Sequence, residues 1–169
     1  MSIIGTLVTD RTQADVERAE YLNSLWVQHV WTGTPEELAE WEAGAKGAYN
    51  ASDLNRVQEA MEYLAGIFRS YGYAVSLLPA PVWAEGDMPA VSELDTYLSN
   101  LAALRGVLAV LPATPSTPES MELLTYATAN DIERILVDID LLLNTMGGAF
   151  LRAGMPWAVA GNEVYVKNA

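Results

Sequence analysis

The sequence predicts a mainly α protein: a compact bundle of about five helices with short terminal β-strands, forming one domain over residues 1–169. Three observations carry this expectation. Apolar side chains recur at three- and four-residue spacing in five stretches, the pattern of helices that bury one face. Threonine, serine, proline and glycine punctuate those stretches where helices start and stop. Hydrophobic residues make up 51% of the chain against 18% charged, enough apolar surface to close a core in a protein with no cysteine.

The helical bundle is expected over residues 9–150, with 1–8 and 155–169 as terminal strands or contact arms. Ile3 to Val8 is apolar and partly β-branched, which predicts a short strand. Thr12, with Asp15 three residues on, caps a first helix whose inward residues are Val16, Ala19, Leu22, Leu25 and Trp26; His29 to Gly33 is its exit. Thr34-Pro35-Glu36-Glu37 opens a short second helix, because threonine caps, proline needs no N–H there and carboxylates favour the positive end of the dipole. Leu38 and Trp41 face inward, and Gly44 and Gly47 end it.

Ser52 reads as the cap of a third helix carrying Leu54, Val57, Met61, Leu64, Ala65 and Phe68, with Gly72 as a left-handed stop. Residues 73–89 hold Pro79, Pro81 and Pro89 and predict an extended connection, with room for one edge strand at Tyr73 to Leu77. A fourth helix starts at or near Ser92 and ends before Pro112, with Leu94, Tyr97, Leu98, Leu101, Leu104 and Leu108 inward; Arg105 beside that seam packs its stem and sends its head to water. The proline-rich segment 112–118 is a stiff linker, after which Thr125 caps the fifth helix. That helix has the widest apolar face, from Ala129 to Met146, with Asp131, Glu133, Arg134, Asp138 and Asp140 largely opposite. Gly147-Gly148 either ends it or is run through as far as Gly154. Trp157 to Val159 and Glu163 to Val166 flank a plausible hairpin turn, so a small sheet of both termini is an option.

The balance of 22 acidic against 9 basic residues leaves a formal charge of −13, which opposes binding to nucleic acid or an anionic membrane. A surface so acidic could instead imitate a phosphate backbone. The first residues lack the basic region of a signal peptide, and the apolar run Leu101 to Leu111 is too short to cross a bilayer.

No set of residues spells out a catalytic, metal or cofactor site. His29 is the single histidine, so a histidine-based nucleophile pair or metal site lacks partners. Asp138 and Asp140 diverge around a helix, while Asp131 and Asp138 could share a face; a solvated face explains them. Glu36, Glu37, Glu40 and Glu42 form a cluster that the helix dipole accounts for. Gly44-Ala45-Lys46-Gly47 lacks the serine or threonine, and the preceding strand, of a phosphate loop. The expectation is a non-enzyme without cofactor or small-molecule substrate. Five tryptophans and eight tyrosines suit both core and interface; Trp31, Trp83, Trp157 and Tyr165 are the interface candidates because they fall outside the helical stripes.

The string Lys46 to Val57, preceded by Thr9 to Val16 and followed by Leu123 to Tyr126, Asn130 to Glu133 and Asp138 to Asp140, resembles tail-associated and minor structural proteins of bacteriophages and prophages. The likeness spans roughly residues 9–150. Within it Tyr49, Asn50, Ser52, Asp53, Asn55 and Arg56 read as a structural joint: Asn50 closes a turn, Tyr49 packs over a helix start and the others offer polar contacts. The resemblance implies a virion component near the tail tip, baseplate or fibre attachment, made in the host cytoplasm, homo-oligomeric and in contact with other virion proteins. The competing expectation is an acidic phage-encoded inhibitor or nucleic-acid mimic acting on a host protein.

Overall fold

The computed structural model describes residues 2–152, with side chains through residue 148. Its described residues form five α-helices, a 3₁₀ turn and one small antiparallel hairpin. The expected mainly α architecture is present. The helices are α1 (Gln13–Ser24), α2 (Pro35–Glu42), α3 (Ala51–Ser70), α4 (Val91–Arg105) and α5 (Tyr126–Arg152).

The main core lies where α3, α4 and α5 pack on one another. Val57, Met61, Leu64 and Phe68 of α3, Tyr97, Leu101 and Leu104 of α4, and Ile132, Ile135 and Leu136 of α5 are fully buried. Each set follows the spacing of a single helical stripe, so one face per helix closes the bundle. A satellite core of Ala19, Leu22 and Ala45, packed by Leu25, Trp31, Trp41 and Ala48, joins α1 to α2 and the hairpin.

Three caps match their predicted chemistry. Thr12 with Asp15, and Thr34 with Glu37, form reciprocal capping boxes on α1 and α2. Thr125 Oγ1 accepts from the Thr128 N–H at the start of α5. The cap of α3 is Asn50, two residues earlier than the expected Ser52: its Oδ1 accepts from the N–H groups of Ser52 and Asp53, while Asp53 reaches back to the Asn50 N–H. The Asn50 carboxamide oxygen meets two N–H groups at once and also the Ser52 hydroxyl, which leaves Ser52 exposed on the first turn.

The expected strand at 3–8 is instead a 3₁₀ turn, Ile3–Thr6, followed by extended chain, and Tyr73 to Leu77 is extended without a strand partner. A two-stranded sheet made with the N-terminus is therefore absent among the described residues. Tyr73 to Leu77 alternates more and less buried residues as a strand would, and where the chain crosses the helices beside these segments its backbone groups are met by asparagine side chains. Asn130 of α5 exchanges two hydrogen bonds with the Arg11 backbone, Asn100 of α4 with Leu78, and Asn55 of α3 with Trp83, at 2.7–3.0 Å throughout. A carboxamide presents a donor and an acceptor side by side, as a neighbouring strand does, so the chain lies extended over helices without needing a sheet.

Other corrections are local. Helix α1 stops at Ser24, and Trp26 lies in a hairpin, β1 (Trp26–Val27) with β2 (Val30–Trp31), turned by Gln28 and His29 at φ 49° and 65°. Positive φ at both positions suits the right-handed twist of a two-residue turn, although asparagine and glycine are its usual residues. Helix α4 begins at Val91, with Glu93 accepting from the Ala90 N–H, and ends at Arg105, so Leu108 packs from the loop beyond. Arg105 turns inward, donating to the carbonyls of Pro115 and Thr114 and fastening the proline-rich linker. Helix α5 runs through Gly147 and Gly148 to Arg152. The predicted strands at 157–159 and 163–166 lie outside the described residues.

Candidate functional site: an aromatic cleft backed by a buried ion cluster

The extended N-terminal segment, α3 and α5 meet at a cluster of charges inside the protein. Arg11 Nη2 lies 3.0 Å from Asp53 Oδ1 and 2.7 Å from Glu133 Oε1. Arg56 reaches both carboxylates from the other side. Glu133 also accepts the Val8 N–H at 2.6 Å, and Arg11 donates to the carbonyls of Val8 and Lys46. Glu133 is 0% and Arg11 4% exposed. Two positive and two negative charges cancel, and nearly every remaining donor is used, which is how four charges can be held out of water. The unpartnered atom of the set is Arg56 Nε. Burial draws the Arg56 guanidinium downward, but Glu133 and Asp53 outweigh it and hold its pKa above the ordinary value.

Glu133 and Asp138 depart from the expected solvated face of α5. Asp138 is 4% exposed, accepting from Thr114 Oγ1 at 2.8 Å and from Arg134 at 3.0 Å. Both sit at stripe positions, since 129, 133 and 136, like 135, 138 and 142, are three or four apart. That spacing is the sequence signal for their burial, against the usual exposure of acidic side chains. Asp131 is exposed, so it shares no ion site with Asp138. No group of three or more histidines, aspartates or glutamates among the described residues is placed to hold a metal.

Of the joint residues, Asn50 and Ser52 meet at the start of α3, Asp53 and Arg56 enter the ion cluster with Arg11 and Glu133, Asn55 turns to Trp83, and Tyr49 pairs with Tyr97. The Tyr49 ring lies under the Arg11 guanidinium at 5.3 Å, and its hydroxyl is 2.8 Å from that of Tyr97. Burial pushes both phenols well above their ordinary pKa of about 10, so neither is an acid or a base near neutrality. The Tyr97 ring meets Trp83 edge to face at 6.1 Å. Trp83 therefore belongs to the core at 5% exposure and is not the free loop aromatic that the sequence suggested.

On the far side of Trp83 is a cleft of about 780 Å³ between the hairpin, the end of α2, the start of α3 and the loop 83–87. Its walls include Trp26, Trp41 and Trp83, together with Glu42, Glu85 and Asp87. Gly44 at φ 87° and Gly86 at φ 88° turn the chain at two of its edges.

The interface candidate Trp31 is half-buried, packed edge to face on Trp26 at 5.3 Å and donating from its indole to the Thr34 carbonyl. The hairpin instead exposes Trp26 at 41%, Val27 at 52% and Val30 at 63%. Trp157 and Tyr165 lie outside the described residues. Comparison of the chain with protein-family models, with curated proteins and with solved structures finds no match to any of them.

Proposed function

We propose that the protein is a structural component of a bacteriophage virion, an assembly or docking module of the tail tip, baseplate or fibre-attachment region, and not a catalyst. The exposed apolar hairpin is the observation that carries this reading. Val27 and Val30 occupy a turn that costs backbone strain at Gln28 and His29 and buries neither valine, an arrangement that suits contact with another surface. The ion cluster and the asparagine clamps tie the extended segments to the bundle, which makes a stiff base for such a contact. The resemblance of residues 9–150 to tail-associated proteins supplies the particle.

The inhibitor reading has one observation on its side. Every lysine and arginine from Arg11 to Arg134 is engaged inside the protein or with a neighbouring group, so the surplus carboxylates face solvent uncompensated. Quantitative protein measurement on purified particles separates the two. A fixed copy number per particle, resistant to high salt, is expected of a structural part; absence from particles refutes that role.

A further inference from the structure

The aromatic cleft carries a more specific assignment, which rests on the docking reading. We propose that it receives a lysine or arginine side chain borne on an extended segment of a partner protein. Three tryptophans and three carboxylates line the cleft, and no lysine or arginine does. Tryptophan faces attract cations, and the attraction strengthens as water is excluded. The same chain already uses this contact twice, with Arg11 over Tyr49 and Arg18 over Tyr21 at 5.1 Å.

The charges of the cleft are unanswered from within. Among the described residues Glu42 and Glu85 have no ion pair or hydrogen bond through their side chains, and the Asp87 carboxylate holds only the Ala84 N–H. The internal cations are committed elsewhere: Arg18 to Glu37 and Glu40, Lys46 to Asp10 and Asp15. A second copy of this chain, with its net charge of −13, is a poor source of a free cation. Trp83 also lines the cleft; its indole N–H is buried without a hydrogen-bond partner, so a peptide carbonyl reaches it only if the side chain shifts.

The test uses the full chain, isotopically labelled so that each indole N–H gives its own resonance. It is titrated with a blocked alanine-arginine-alanine peptide, with the same peptide carrying neutral citrulline, and with methylguanidinium. The arginine peptide is expected to shift the Trp26, Trp41 and Trp83 resonances saturably, with the citrulline peptide and methylguanidinium each weaker. Glu42→Gln with Glu85→Gln weakens the arginine peptide about fivefold, while Leu123→Ser, at an exposed residue outside the cleft, leaves it unchanged. Equal binding of arginine and citrulline peptides, indifference to the double substitution, or no shift at all overturns the assignment. Methylguanidinium binding as tightly as the peptide also overturns it, because the site then takes a free ion. Should the peptide fail while assembly still depends on Val27 and Val30, the cleft assignment falls and the docking reading stands.

Discussion

Replacing Glu133 by glutamine probes the buried ion cluster with little change of shape. Glu133 is 0% exposed and answers Arg11 at 2.7 Å, Arg56 at 3.1 Å and the Val8 N–H at 2.6 Å. Glutamine keeps one acceptor but turns an amide donor toward guanidinium groups and leaves two positive charges facing Asp53 alone. Breaking a buried pair by removing one partner costs about 3–5 kcal/mol. For a chain of this size that lowers the melting temperature by roughly 6–20 °C. Denaturant unfolding gives the free energy, and a double-mutant cycle with Arg56→Gln isolates the coupling, expected between about 0.5 and 3 kcal/mol. A Glu133→Gln protein within about 1 kcal/mol of the parent, with no coupling to Arg56, would refute the claim that these charges are held away from water.

Other substitutions separate close packing from propensity. A Cβ at Gly47 would run into the Asp15 carbonyl, so Gly47→Ala should destabilise by about 1–3 kcal/mol, whereas Gly66, exposed in α3 with nothing within 4 Å, should gain about 0.5–1 kcal/mol as alanine. In thermal melts a stabilised Gly47→Ala protein would contradict the first assignment, and a destabilised Gly66→Ala protein the second. Asn100→Ala strips the Leu78 N–H and carbonyl of their partner and should cost about 2–4 kcal/mol, with the amide of Leu78 exchanging faster with solvent; unchanged exchange there would contradict the clamp. Because Tyr49 and Tyr97 titrate above their ordinary value in the folded protein, the stability they confer is complete below about pH 10 and is lost as pH rises beyond it. Parallel circular dichroism and tyrosinate absorbance should therefore show two phenols ionising only as helix content falls, and a folded protein with every tyrosine ionised would refute this.

The sequence made the helices legible because each buries one stripe and carries its own punctuation. Thr12, Thr34 and Gly72 act where their chemistry places them. The extended segments were harder to read. Ile3 to Val8 has the composition of a strand and Tyr73 to Leu77 its alternation, and nothing local reveals that Asn130 and Asn100, far along the chain, bond the nearby Arg11 and Leu78 backbone in place of a neighbouring strand. Glu133 and Asp138 carried a readable spacing, yet their burial depends on Arg11, Arg56 and Thr114 arriving from distant segments to neutralise or bond them. Around Tyr49 to Arg56 the sequence shows a run of polar and aromatic residues at a helix start, but not that Asp53 and Arg56 meet Arg11 and Glu133. The cleft was not, since Trp26, Trp41 and Trp83 converge only after the hairpin, α2 and the 83–87 loop are packed together.

Assembly of copies through the exposed Trp26–Trp31 hairpin is the form of docking proposed for this protein. Sedimentation equilibrium of the full chain over a wide concentration range, beside a Val27→Ser, Val30→Ser variant of equal melting temperature, examines it directly. The parent is expected to associate into a discrete oligomer, and the variant to shift toward the monomer at every concentration. A parent that stays monomeric throughout, or a variant that associates identically, would contradict the assignment of the hairpin as the contact between copies.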